Sequence, residues 1–350
     1  MRIGIVGGSG YVGGELLRIL LLHPEVEVTM VTSRQVAGEY IFNSHPNLRG
    51  LTQLKFVPID ISELQKGCDL VFTATPHGGS VNLVPKLLQA NLKVIDMSAD
   101  FRLKNPEAYE KWYGWKHANP ETLKDAVYGL PELHREEIKK TSLVACPGCM
   151  ATATILALVP FVKAGLIDKH HIVADLKVGS SGAGSKPTIA SHHPERFGGV
   201  RPYKVVGHRH IAEVEQELNA LSAKPFSISF SPHAVNMVRG ILATIHTFPI
   251  QPITNKDVWK ALRGAYESEP FIRFVKYLKG CYQLPDPKVT LGTNYCDLGF
   301  EIDDHMNRLL LFSAIDNMVK GASGQGVQCL NLMMGIDETT GLKSTGFHPM

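Results

Sequence analysis

Residues 2–20 read RIGIVGGSGYVGGELLRIL, and this stretch decides the fold. RIGIV is a short β-rich run, and YVGGELLRIL has the apolar spacing of a helix. Between them Gly8, Gly10 and Gly13 stand in G-x-G-x-x-G register, while Gly7, Gly10 and Gly13 fit a looser G-x-x-G-x-x-G spacing, so the register is ambiguous by one residue. Glycine is needed there because a side chain would keep backbone N–H groups from a pyrophosphate at the helix N-terminus. A tight strand-to-helix turn without ligand is the competing reading, but strand before and helix after are the context that gives the pattern meaning. Gly7, Ser9, Gly10, Tyr11 and Val12 are therefore the candidate cradle for a dinucleotide.

The next strand, VEVTMVT at 26–32, ends on Ser33, Arg34 and Gln35, with no carboxylate where a free ribose 2′-hydroxyl would be held. A hydroxyl and a guanidinium at that point favour a 2′-phosphate, hence NADP(H) over NAD(H). Further β-rich runs follow at DLVFTATP (69–76), LKVIDMSA (92–99) and SLVACP (142–147), with a helical pattern in SVNLVPKLLQA (80–90). Strands alternating with helices predict an α/β architecture with a doubly wound parallel sheet.

After about residue 150 the texture changes. A helix from Met150 to Lys163, a Gly/Pro/His-rich loop from Gly182 to Gly207 and a helix over 210–221 are followed by long β-like runs at 226–235, 240–249, 289–303 and 308–316. A helix near 255–267 interrupts them. This predicts a second, α+β domain with a mainly antiparallel sheet. The final segment NMVKGASGQGVQCLNLMMG has helical spacing and returns to the first domain, giving expected domains of 1–148 with 317–350, and 149–316.

The chain has 350 residues, 44% hydrophobic and 20% charged, with Lys+Arg 36 against Asp+Glu 33, a net charge of +3. That charge lacks the surplus that binding a nucleic-acid backbone needs. The apolar run LLRILLL is short and broken by Arg18, so neither a membrane span nor a signal sequence is expected. Six scattered cysteines fit a reducing, cytoplasmic setting.

Two of those cysteines fall in ACPGCMATATIL, 145–156. A strand-like SLVA precedes them, which puts Cys149 at a helix start, where terminal N–H groups and the helix dipole favour a thiolate. The competing readings are a redox dithiol, half a zinc site and two buried small hydrophobes. In a C-x-x-C dithiol the first cysteine attacks, and no second pair completes a zinc site, so no metal is expected. A thiolate with a nicotinamide cofactor suggests aldehyde oxidation through a thioester or its reverse, both of which need a proton-transfer group.

That group is sought in HHPERFGGVRPYKVVGHRHIAEVEQEL, 192–218. His208 and His210 share a face of an extended segment and could act at one centre. Arg196, Arg201, Lys204 and Arg209 surround them with positive charge, which suits an acidic or phosphorylated substrate.

GGSGYVGGELLR, ACPGCMATATILAL, GSSGAGSKP, GHRHIAEVEQEL and NMVKGASGQGVQ together resemble the N-acetyl-γ-glutamyl-phosphate reductase family, relatives of aspartate-semialdehyde dehydrogenase. The resemblance runs from the first strand to about Gly335. It implies reduction of an acyl phosphate by NADPH to a semialdehyde, through a thioester on Cys149. It implies acid/base work for His208, with His210 and Glu213 positioning substrate. Ser181, Gly182, Gly184 and Asn317 are expected near the nicotinamide, and a homo-oligomer, dimer or tetramer, is expected. SHHPERFGGVRPYK resembles the branch whose substrate, 2-aminoadipate or glutamate phosphate, rides on a small acidic amino-group carrier protein. Lys186, Arg196, Arg201 and Lys204 would suit such a carrier. The alternatives are a reductase of free N-acetyl-γ-glutamyl phosphate, an NADP-binding thiol sensor, and a carrier-binding protein without chemistry.

Overall fold

The computed structural model describes residues 1–222 and 225–348. The chain forms two compact units, one of Met1–Pro147 with Ala322–Ser344, the other of Gly148–Gly321 with the described residues from Thr345 onward. The chain thus re-enters the first unit at Ala322, five residues later than 317, and its last described residues belong to the second.

The first unit holds a six-stranded, wholly parallel sheet. Its strands are β1 (Arg2–Val6), β2 (Glu27–Thr32), β3 (Leu70–Thr73), β4 (Lys93–Asp96), β5 (Val127–Tyr128) and β6 (Leu143–Ala145), in the order β2-β1-β3-β4-β6-β5. Leu70, Val71, Phe72, Val94 and Ile95 are fully buried, as strands covered on both faces must be. The order reverses at β1, which places the ligand crevice at the carboxyl ends of β1 and β3. The helix Tyr11–Leu20 follows β1 and buries Leu16, Leu17, Ile19 and Leu20. The closing helix Gly324–Met333 belongs to this unit: Ser323 Oγ donates to Val12 O at 3.0 Å and Gln325 Nε2 to Gly129 O at 2.6 Å.

The second unit is built on a seven-stranded sheet. Its strands are β7 (Val173–Val178), β8 (Arg201–Pro202), β9 (Ser229–Ala234), β10 (Ile241–Thr247), β11 (Ile272–Phe274), β12 (Cys296–Asp303) and β13 (Arg308–Ile315). They lie in the order β11-β12-β13-β10-β7-β9-β8. The sheet is mainly antiparallel, with β7–β9 and β11–β12 parallel. Strand β10 alternates strictly, burying Ile241, Ala243, Ile245 and Thr247.

The helix Cys149–Lys163 is apolar on every side and buried almost throughout, the pattern of a central helix. Pro160 inside it has no N–H to offer the Leu156 carbonyl. Tyr266 supplies the missing donor, its hydroxyl bonding Leu156 O at 2.9 Å. The helices His210–Ala220 and Asn255–Tyr266 flank it.

Two expectations needed revision. The stretch 182–207 is not one open loop: it carries a 3-10 turn at Ile189–Ser191, a helical turn at His193–Arg196 and the edge strand β8, paired with β9. The run 289–303 becomes a strand only from Cys296, because Pro287 opens a helical turn capped by Asp286.

Candidate active site

In the first unit the glycine turn resolves its own register. Gly7 has φ +82°, and a β-carbon there would lie 2.6 Å from Ala74 O. A β-carbon on Gly13 would lie 2.6 Å from Gly8 Cα, so this glycine lets helix and strand pack. At Gly10, the N-cap residue, a β-carbon would meet nothing nearer than 3.9 Å, leaving open space over an end that no side chain caps. Turn, ligand approach and packing therefore fall on Gly7, Gly10 and Gly13. Gly8 is also closed to side chains, because Val31 fills its place.

Ser9 Oγ lies 2.9 Å from Ser33 Oγ, tying the turn to the end of β2. Arg34 and Gln35 follow, exposed, and Arg34 lines a cavity of about 510 Å3. Tyr11 is exposed and Val12 half-buried at the first turn of the helix. A tight turn that only glycine allows at Gly7, an open N-cap at Gly10 and a cation beyond β2 fit a dinucleotide with a 2′-phosphate.

A buried polar network that sequence reading missed shapes the carboxyl end of the same sheet. Thr73 Oγ1 donates to Asp96 at 2.6 Å, and Ser98 Oγ donates to the other Asp96 oxygen at 2.7 Å. Burial, and secondarily the charge of Asp100, pushes the Asp96 carboxyl up to about 6. Asp100 in turn accepts the N–H groups of Gly78, Ser80 and Val81 at 2.6–3.0 Å, holding the segment after β3. Arg102 Nε donates to Cys146 O at 2.6 Å. These residues carry no spacing motif; only the parallel register that sets Thr73 opposite Asp96 brings them together.

In the second unit Cys149 is the first residue of its helix, half-buried, after Gly148 in extended conformation. Gly148 N–H donates to Glu213 Oε2 at 2.8 Å. The ring of His210 lies directly against Gly148, where any β-carbon would collide with it. His210 Nε2 is 3.9 Å from Glu213 Oε1. Glu213 is fully buried, its carboxylate turned to the Gly148 N–H.

His208 stands one layer behind. Its Nδ1 accepts the His210 N–H at 3.2 Å, which leaves the proton of the neutral ring on Nε2. Burial first, then Arg209 and Lys204, lowers His208 to about 4. Its ring packs on Phe230 and edge-on to His210. It is His210 whose ring lies beside Gly148, the residue preceding Cys149, with His208 behind it.

Two neighbours had no signal in the sequence. Tyr203 is pushed up to about 12, first by burial and then by Cys149, and its hydroxyl points at Met150 Sδ, 4.0 Å away. Gly321, in a π-turn at Val319–Ser323, would place a β-carbon 2.7 Å from Cys149 Cβ, so glycine there is what lets this turn close on Cys149.

Ser181, Gly182 and Asn317 converge. Asn317 Nδ2 donates to Ser181 Oγ at 3.0 Å, Asn317 Oδ1 accepts Gly240 N–H at 2.8 Å, and Gly182 lies beside the amide. Gly184 has φ +82° and turns the chain out of this cluster. Arg196 donates to Val178 O at 2.9 Å and lines a cavity of about 340 Å3 with Ser180, His193 and Asn236. Arg201 and Lys204 are exposed, and Arg201 donates to Glu195 O at 2.6 Å. Among the described residues no cluster could hold a metal ion, and no helix is long and apolar enough to cross a membrane.

A dinucleotide turn on a doubly wound sheet, with a helix-start cysteine backed by an imidazole and a carboxylate, defines a thiol-dependent oxidoreductase. Residues 2–141 match the family described as semialdehyde dehydrogenase, NAD binding domain, and 149–317 the semialdehyde dehydrogenase, dimerisation domain. The chain belongs to the semialdehyde dehydrogenase family.

It is 49% identical over 349 residues to a protein of Saccharolobus solfataricus named LysW-L-2-aminoadipate/LysW-L-glutamate phosphate reductase, covering 100% of this chain and 99% of that one. A Sulfurisphaera tokodaii protein of the same name is 48% identical with the same coverage. In fold the chain is similar to aspartate semialdehyde dehydrogenase II of Vibrio cholerae, solved with ASA, at TM-score 0.71 and 18% identity, covering 95% of this chain and 98% of that one. The Candida albicans aspartate semialdehyde dehydrogenase solved with NADP gives TM-score 0.69 at 17% identity, with the same coverage.

Proposed function

We propose that the protein reduces carrier-linked 2-aminoadipate 6-phosphate, or the corresponding glutamate 5-phosphate, to the semialdehyde. The observation that carries the chemistry is Cys149 at the start of a fifteen-residue helix, with His210 and Glu213 against the preceding residue. The relatives named above carry the substrate assignment.

The Cys149 thiolate, favoured by the helix dipole, adds to the acyl-phosphate carbonyl; the carbon–oxygen bond to phosphate then breaks and a thioester remains. NADPH, when bound, supplies the hydride that reduces the thioester carbon. Gly7, Ser9, Gly10, Tyr11 and Val12 would hold its pyrophosphate, and Ser33, Arg34 and Gln35 its 2′-phosphate. Ser181, Gly182, Gly184 and Asn317 would receive the nicotinamide end. His210, with Glu213 3.9 Å away, protonates the oxygen of the resulting hemithioacetal and takes that proton back as the carbon–sulfur bond breaks and the aldehyde leaves. His208 orients His210 through the backbone N–H it accepts.

The exposed cations Lys186, Arg201 and Lys204 support an acidic carrier as the partner, and Arg196 with its cavity supports a site for the substrate's own carboxylate. A homodimer through the second unit accords with the description of the matching family domain. Six free cysteines accord with a reducing cytoplasm.

The test is turnover of carrier-linked against free N-acetylated acyl phosphate at matched concentrations. A marked preference for the carrier-linked compound is expected. Preference for the free compound overturns the substrate assignment and leaves the thioester chemistry standing.

A further inference from the structure

The cavity beside Arg34 carries a second cation that no motif singled out. Arg34, Asp60, Ser62, Asn82 and Lys86 are among its lining residues. Arg34 follows β2, whereas Lys86 lies on the short helix Val84–Gln89 after β3. Because β2 and β3 flank β1, these connections meet at the switch point of the sheet, where a dinucleotide is taken. Both side chains are exposed, and among the described residues neither enters an ion pair or a side-chain hydrogen bond.

The one carboxylate in the cavity wall is engaged elsewhere. Asp60 Oδ1 caps the helix Ile61–Gly67, accepting Ser62 N–H at 2.8 Å, Ser62 O–H at 2.8 Å and Glu63 N–H at 3.3 Å. The backbone leading to Lys86 is fixed, since Asp100 grips the N–H groups of Gly78, Ser80 and Val81 a few residues earlier. Two cations thus line one cavity, and neither is ion-paired with Asp60, the single carboxylate among its lining residues, an arrangement that an anion relieves.

We infer that Lys86 is a specificity-determining residue for the cofactor's 2′-phosphate, which it binds together with Arg34. The inference rests on the NADPH reading above. A phosphate monoester brings close to two negative charges at neutral pH, whereas the 2′-hydroxyl of NAD brings none. Lys86 therefore acts on the difference between the two nucleotides and not on their shared parts.

Calorimetric titration of the full chain with 2′,5′-ADP, 5′-AMP, NADP+ and NAD+ tests this without turnover. Lys86→Ala should weaken 2′,5′-ADP and NADP+ about tenfold and leave 5′-AMP and NAD+ within about twofold. Lys86→Arg should keep most of the wild-type preference, and added salt should shrink the difference between wild type and Lys86→Ala. A wild type that prefers the 2′-phosphate while Lys86→Ala keeps that preference in full overturns the role of Lys86 alone. An equal loss for all four ligands does the same. A wild type that binds 2′,5′-ADP no better than 5′-AMP overturns the NADPH reading and this inference together.

Discussion

Glu213 accepts the Gly148 N–H at 2.8 Å, and the same buried carboxylate lies 3.9 Å from His210 Nε2. One side chain thereby bonds the backbone that presents Cys149 and lies within ion-pair range of the imidazole beside it. Glu213→Ala leaves a buried N–H without its charged acceptor and should cost about 1.5–3 kcal/mol in urea denaturation. Turnover should fall more steeply than this loss of stability explains, and Glu213→Gln should recover the stability ahead of the turnover. If Glu213→Ala turned over like wild type, the positioning role would be wrong.

Gly148→Ala puts a methyl group where the His210 ring now lies. The expected result is a fold close to wild type by circular dichroism with kcat down at least about a hundredfold, since small displacements of catalytic groups are costly. Unchanged kcat would show that His210 has room to move aside.

Cys149→Ser should abolish phosphate-dependent reduction of NADP+ by the semialdehyde while thermal unfolding stays near wild type. Cys146 is 1% exposed and packs as a small hydrophobe, so Cys146→Ala should retain turnover at a modest loss of stability. A thiol sensor would need both cysteines; an enzyme using a single nucleophile needs one.

His208 supplies a pH signature. The folded chain holds its imidazole at about 4, against 6.5 for the free group, so between these values the unfolded chain binds the extra proton. Its contribution to stability is complete above pH 6.5 and is lost as pH falls toward 4. From pH 7.5 to 5 the wild type should lose about 2 kcal/mol more than His208→Gln in chemical denaturation. Parallel losses in the two proteins would mean that His208 protonates freely in the fold.

Tyr266→Phe tests the helix that begins at Cys149. Removing the hydroxyl leaves the Leu156 carbonyl, already without its helical donor because of Pro160, unpaired in the core. A loss of about 1–3 kcal/mol is expected. A neutral outcome would mean that this carbonyl finds another donor.

The chemistry of this protein is legible wherever neighbours in the chain are also neighbours in space. The dinucleotide turn and the start of the cysteine helix are each set by a strand handing directly to a helix, so their glycines and Cys149 could be read from order and spacing. The interior of 182–207 was hidden because strand β8 exists only by pairing with β9, more than thirty residues on.

Sequence alone determined the doubly wound first unit, the α+β second one and the cysteine that begins the helix, because hydrophobic period and glycine placement are local properties. It listed two histidines two residues apart, and only the family resemblance put His208 forward for acid/base work. The tertiary structure placed His210 against Gly148 and put His208 behind it, turned Glu213 inward to Gly148 N–H, and set Lys86 and Arg34 on one cavity. Those relations depend on which helix packs on which sheet, and packing is decided by burial between segments far apart in the chain.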